Sequence, residues 1–202
     1  MESQEDLDDV LKIEPAFQSD GVIAQSFATG PNFANDAVTQ LIQSAVQIAN
    51  EEIVLTTPYF VPDYATLSAL AVAARRGVRV HLVVPARNDS MWVRLASRSL
   101  YRNLLECGVR IHEFQKGLLH AKTIVVDAQT CLMTSANLDR RSFELNLEVS
   151  LVVYDQKTSC ALRKIQEGYI AKSRRVDPRE WYARPAWKRL VENAVGLLSA
   201  LL

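Results

Sequence analysis

The chain has 202 residues, 49% of them hydrophobic, and its 23 Lys/Arg are balanced by 23 Asp/Glu. That is enough apolar material for one domain with its own core, and the balance excludes a polycation built as a whole for nucleic acid. No apolar run reaches the ~18 residues of a bilayer-spanning helix. The acidic opening, residues 1–9, lacks the apolar centre of a signal peptide. Cys107, Cys131 and Cys160 form no C-x-x-C and cannot all pair, so they read as reduced, buried thiols with no zinc site.

Residues 1–20 are acidic and aperiodic and read as a linker or tail. A first strand is expected over residues 22–28, broken at Gly30-Pro31. Asn32 or Asn35 then caps a helix whose apolar positions Val38, Leu41, Ile42, Ala45, Val46 and Ala49 recur at helical spacing. Residues 53–57 form a short β-branched strand ended by Pro58. A second helix runs from Asp63 to Arg76 and stops at Gly77. Residues 78–84 are apolar enough for a central parallel strand. Asp89 or Ser90 caps a third helix over residues 91–106, stopped by Gly108, and residues 109–114 make another strand. Further β signals lie at 119–133 and 147–153. The rhythm predicts an α/β fold, a mixed β-sheet flanked by helices on both faces, over residues 21–171. His81 and His112 have no carboxylate or cysteine at ligand spacing, and neither is assigned a metal.

Residues 172–202 differ in texture and are expected to be a basic, helical C-terminal tail. Seven Lys/Arg stand against Asp177 and Glu180 between Lys172 and Arg189, with Trp181, Tyr182 and Trp187 among them. The apolar end is too short to span a bilayer but long enough to lie in its interface. The alternative is a helix docked on its own domain.

The stretch that carries chemistry is His120-Ala-Lys122, leading into the β-branched run 123–126 and Asp127. A second β-prone run, 130–134, follows and ends in Ser135-Ala-Asn137. Residues two apart on an extended chain share a face, which puts the His120 imidazole beside the Lys122 ammonium. An antiparallel return brings Ser135 and Asn137 near them. Imidazole, ammonium, hydroxyl and carboxamide together suit a phosphate diester, as nucleophile or proton carrier and as partners for its oxygens.

The spacing His-x-Lys-x4-Asp-x6-Thr-Ser-x-Asn resembles the phospholipase D superfamily signature HxKxxxxDxxxxxxGSxN. Thr134 stands where that pattern has Gly, which leaves the reacting groups in place but adds a Cβ beside the site. Asn137-Leu-Asp139-Arg-Arg141-Ser-Phe-Glu-Leu-Asn146-Leu-Glu148 resembles the NxDxRSxxxNxE run of bacterial cardiolipin synthases. Thr57-Pro-Tyr-Phe-Val-Pro62 and Gly117-Leu-Leu-His120 resemble that family too, specifically its C-terminal half. Family members carry two signatures; this sequence contains one.

The resemblance implies a phosphatidyltransferase working by double displacement through a phosphohistidine. One histidine attacks phosphorus while the histidine of the other signature protonates the leaving alcohol. His120 would be the histidine of this half, in either role, and Lys122, Ser135 and Asn137 would hold the phosphate. Glu148 would fix the imidazole tautomer, and Asp127, a signature residue counted with the catalytic set, more readily braces structure. No cofactor and no metal is implied. The implied substrate is phosphatidylglycerol, two molecules of which yield cardiolipin and glycerol. The implied partners are an anionic membrane surface and a second signature-bearing half, in cis, in trans or by homodimerisation. That places the chain peripherally on the cytoplasmic side of a bacterial inner membrane. Two other readings remain open: a homodimeric phosphodiesterase or nuclease of the superfamily, and a half inactive alone. No basic stripe flanks the signature, so a nucleic-acid partner is not expected.

Overall fold

The computed structural model describes residues 19–30 and 37–198. Strands β1 (Ala24–Thr29), β2 (Glu52–Thr56), β4 (Arg79–Pro85), β5 (Arg110–Phe114), β6 (Thr123–Val126), β7 (Thr130–Thr134), β9 (Glu148–Val153) and β10 (Ser173–Arg175) join one eight-stranded sheet. Its order is β1-β9-β7-β6-β2-β4-β5-β10. The β2, β4 and β5 strands run parallel, and every other pairing in the sheet is antiparallel. A separate parallel pair joins β3 (Phe60–Val61) to β8 (Leu138–Asp139), which leads into the short helix α4 (Arg140–Glu144).

Helices cover both faces, as the strand–helix rhythm predicted. On one face, α1 (Ala37–Ile48), α2 (Tyr64–Arg75) and α3 (Met91–Glu106) pack Ile42, Leu70 and Leu104 against Ile53, Leu82 and Ile111. On the other, α5 (Gln156–Ala171) lays Tyr169 and Ile170 against Val54 and Val83, and Leu162 against Val125 and Cys131. Ile53 and Val54 thus go to opposite faces, the period-two alternation of a strand buried on both sides.

The helix ends follow the expected caps. Asp63 accepts from the Thr66 amide and Ser90 from the Val93 amide, while Gly77 and Gly108 both sit at φ +95°, where a side chain is strained. The caps proposed at Asn32 or Asn35 lie outside the described residues.

The structure amends the expected tail. Residues 173–175 are the sheet's edge strand, paired antiparallel with β5, and only beyond them come α6 (Pro178–Tyr182) and α7 (Ala186–Leu198). Ser-Arg-Arg carries no β-branched signal. It is an edge strand with both arginines exposed, a placement that also discourages pairing with another chain. Nor are the cysteines uniformly buried: Cys131 is, Cys107 is partly so, and Cys160 is exposed.

Beneath α5 lies a polar cluster that local patterning did not reveal. His81 and His112 stack, with Nδ1 of the first 3.0 Å from Nε2 of the second. Glu52 lies 3.6 Å from His81 and 2.7 Å from Arg163, so His81 does have a carboxylate neighbour, contributed by the adjacent strand. Burial, with Arg110, Arg163 and Arg175 nearby, outweighs Glu52 and pushes the His81 pKa down to about 4; burial and His81 itself do the same for His112.

The unfolded chain takes up these protons near the ordinary histidine pKa of about 6.5. Between there and about 4 the unfolded state binds more protons, so folding stability falls as pH falls. Melting curves taken from pH 7 to 4 should show that decline, and His112→Gln should flatten it. A wild-type curve level across the window would show that the rings titrate normally.

Candidate active site

His120 and Lys122 lie in an extended lead-in just before β6, and the Thr134 amide donates to the Lys122 carbonyl at 3.1 Å, extending the hairpin ladder by one step. The alternation argument holds there. Lys122 Nζ is 3.3 Å from His120 Nδ1 and donates to the His120 carbonyl oxygen at 3.2 Å. Partial burial lowers the Lys122 pKa against the opposing pull of Glu148 and Asp139. The other two histidines are buried, and His120 alone of the three is exposed.

β7 returns antiparallel from β6, as expected, and carries Ser135 and Asn137 toward this point. The Ser135 hydroxyl donates to Glu148 and accepts from the Val149 amide at 2.9 Å. The other Glu148 oxygen accepts from Asn146 Nδ2 at 3.1 Å. Here the structure departs from expectation: the Glu148 carboxylate bonds Ser135 and Asn146, while the His120 ring faces Lys122. Asn137 donates to the Ser142 hydroxyl at 3.2 Å. Its backbone is set by the β3–β8 pair and by Thr57, whose hydroxyl accepts from the Leu138 amide at 3.2 Å.

Thr134 fits where a glycine was expected. Its Oγ1 lies 2.8 Å from Ser150 Oγ and accepts from the Ala136 amide at 3.0 Å, so the added side chain is absorbed into the strand. Ser150 is buried and Val149 exposed.

Asp127 is not part of this cluster. It sits at the far end of β6, roughly 20 Å of extended chain from His120. Its carboxylate accepts from the backbone amides of Asn50, Glu51 and Glu52 at 2.9, 2.9 and 2.8 Å. Three amides at the far end of β6 hold this carboxylate, an arrangement suited to the bracing role read from the sequence.

A cleft of about 420 Å³ opens beside the cluster, lined among others by Tyr59, Asn137, Asp139, Arg141 and Asn146. Residues 38–169 match the family described as cardiolipin synthase, PLD-like domain. The chain belongs to that family. Cardiolipin synthase A of Serratia proteamaculans is 44% identical over 192 residues, which is 95% of this chain and 40% of the relative. The namesake from Edwardsiella ictaluri is 43% identical and likewise matched over 40% of its length. The chain thus spans about 40% of the curated relatives it matches. Among solved structures, the phosphatidylserine synthase of Haemophilus influenzae superimposes with a TM-score of 0.71 at 19% identity, covering 88% of this chain and 46% of that one. Nuc, a phospholipase D family member from Salmonella typhimurium, gives 0.65 at 20%, covering 77% and 99%. At such identities the likeness is one of fold.

Within this cardiolipin synthase-like domain, Tyr59 and Asp89 are the residues to which sequence reasoning gave no part in the site. The Tyr59 hydroxyl lies 2.7 Å from both Asp89 oxygens, a bond that pushes the phenol up to about 12 and pulls the carboxyl down. Tyr59 lines the cleft together with Asn137 and Asp139. Nothing in local patterning joins residues 30 apart. The only available signal was the Thr57–Pro62 run itself.

Proposed function

We propose that the chain is the C-terminal catalytic half of a cardiolipin synthase-type phosphatidyltransferase. It takes phosphatidylglycerol as substrate and works at an anionic membrane surface, on the cytoplasmic side of a bacterial inner membrane. The observation that carries this is exposed His120 beside half-buried Lys122, with Ser135, Asn137 and Glu148 on the neighbouring strands, in a chain with one such histidine and 40% of the relatives' length. In the double displacement, one histidine bonds to phosphorus as the phosphorus–oxygen bond to glycerol breaks, and the other gives glycerol its proton. The acceptor lipid then loses a proton to that second histidine as its oxygen displaces the first. His120 fills one of these roles. Lys122, with its lowered pKa, and the Ser135 and Asn137 side chains stabilise the equatorial oxygens.

A second half completes the site in this reading. Leu118, Leu145, Leu147 and Val149 are exposed around the cluster, an apolar rim suited to burial against such a partner. Incubating labelled phosphatidylglycerol with the chain, alone and with a second signature-bearing half, tests the proposal by product analysis. Labelled cardiolipin and free glycerol are expected only with both halves. Phosphatidic acid as the sole product would make the chain a hydrolase instead.

Glu148 acts here as a positioning residue, holding the Ser135 hydroxyl and opposing the Lys122 charge. Glu148→Gln removes that charge, and a hydrogen bond to a charged group is worth roughly 1.5–3 kcal/mol. Turnover should fall by about one to two powers of ten with the melting temperature little changed, while a residue needed only for folding would lower the melting temperature instead.

A further inference from the structure

A surface helix ordinarily turns its apolar stripe inward. Helix α7 does the opposite. Trp187, Leu190, Val191, Ala194 and Leu197 recur at i, i+3, i+4, i+7 and i+10, an arc of about 120°, and this stripe faces outward. Trp187 is 64%, Leu190 74% and Leu197 84% exposed. The inward side holds Val195 and Glu192, at 6% and 5% exposure. Glu192 accepts from Arg98 at 3.0 Å and from Arg184 at 2.8 and 3.0 Å, and Arg184 lies 3.2 Å from the ring centre of buried Trp181. The helix is therefore clamped to the domain by an ion-paired seam, in an orientation that leaves its apolar side uncovered among the described residues.

The stripe continues toward the active-site cleft. Glu192 meets Arg98 and Val195 packs with Ala96, so α7 runs antiparallel to α3 and its last turn approaches the start of α3. There Met91 and Trp92 are 64% and 55% exposed, and Trp92 shares a helix face with Ala96. Ser90 and Val93, on either side of them, line the cleft. Arg87, Arg94 and Lys188 are exposed basic residues bordering this face, against one exposed acid, Asp89, whose carboxylate accepts from the Tyr59 hydroxyl, and Lys188 Nζ sits 5.5 Å from the Trp187 ring centre.

We propose that this face, α7 with Met91 and Trp92, docks on an anionic lipid bilayer and presents the cleft to lipid in the membrane plane. The arrangement combines aromatic rings at the rim, an aliphatic stripe between them and cations at the border, as in a helix lying in the interface. Basic side chains favour anionic headgroups over neutral ones. The inference presupposes the lipid substrate proposed above, but the docking itself is read without reference to turnover.

The three tryptophans make the test specific, since Trp92 and Trp187 lie on the proposed face while Trp181 is 7% exposed within the seam. Adding phosphatidylglycerol/phosphatidylcholine vesicles to the full chain should shift its tryptophan fluorescence to the blue, and most of that shift should vanish in Trp92→Phe/Trp187→Phe. Leu190→Glu/Leu197→Glu changes exposed positions only. It should sediment with these vesicles roughly tenfold or more weakly, and pure phosphatidylcholine vesicles should bind the wild type less well than the anionic ones. An unshifted spectrum, or equal sedimentation of this variant and the wild type, would overturn the proposal. So would sedimentation equilibrium showing a homodimer that Leu190→Glu/Leu197→Glu dissociates, because the stripe would then be covered by a second copy. His120→Ala should leave vesicle binding intact, so loss of transfer with retained docking, or the reverse, separates this inference from the functional reading.

Discussion

His120→Ala should reduce phosphatidyl transfer by about three powers of ten or more, a barrier increase of roughly 4 kcal/mol, with the fold unchanged. The second expectation follows from exposure: His120 is an exposed residue, and its ring lies 3.3 Å from the Lys122 ammonium. The first follows from chemistry, because alanine can neither bond to phosphorus nor carry a proton. Neither buried histidine can take over, since His81 and His112 lie beneath α5 and burial keeps them neutral down to about pH 4. The measurement is cardiolipin formation from labelled phosphatidylglycerol with the second half supplied, alongside a melting curve. Quenching in alkaline denaturant, in which a histidine N–P bond survives, should then distinguish the two roles open to His120. Label from the phosphatidyl group on this chain that disappears in the variant makes it the nucleophile; label on the other half makes it the proton carrier. Turnover by the variant within about tenfold of wild type would remove His120 from the mechanism.

Much of the scaffold behind that site was legible because its signals are local. The run 123–126 is β-branched throughout and became β6, and the next run returned antiparallel because the three-residue turn 127–129 permits little else. Asp63, Ser90, Gly77 and Gly108 marked helix ends through caps and positive φ, which a single residue decides. The His120–Lys122 contact followed from extended-chain alternation in the same way.

What stayed hidden depends on which strands become neighbours. Tyr59 meets Asp89, and Glu52 meets His81, because the sheet brings β2 beside β4, and no spacing along the chain encodes that. The β10 strand was invisible because an edge strand of Ser and Arg needs only backbone pairing. Helix α7 shows a third kind of limit: its composition announced a helix with basic and apolar parts, but not that an Arg98–Glu192–Arg184 seam would hold the polar side inward.

Asp127→Ala should do the opposite of His120→Ala, lowering stability while sparing turnover of the folded protein. The turn from β6 to β7 places Asp127 and Ala128 at φ 50° and 52°, the left-handed region that non-glycine residues enter at a cost. The Asp127 carboxylate offsets that cost by accepting the Asn50, Glu51 and Glu52 amides, locking the hairpin to the segment that opens β2. Burial raises its pKa, yet the three amides outweigh burial and hold it below the usual carboxylate range. Hydrogen bonds to a charged group are worth roughly 1.5–3 kcal/mol each. The Asn50 and Glu51 contacts are exposed, so water recovers much of their share, and a loss of about 2–4 kcal/mol is expected. For a domain of this size that lowers the melting temperature by roughly 5–15 °C. Asp127→Asn keeps one acceptor and tolerates the left-handed turn, and should fall between the two. Because the folded pKa is depressed, the contribution is fully present above the unfolded value near 3.9 and is lost as pH falls through the folded pKa. The gap in melting temperature between wild type and Asp127→Ala should therefore narrow only in strong acid, below the window in which His81 and His112 act. If the alanine variant instead melts like the wild type and loses transfer as His120→Ala does, Asp127 belongs to the chemistry and the brace is incidental.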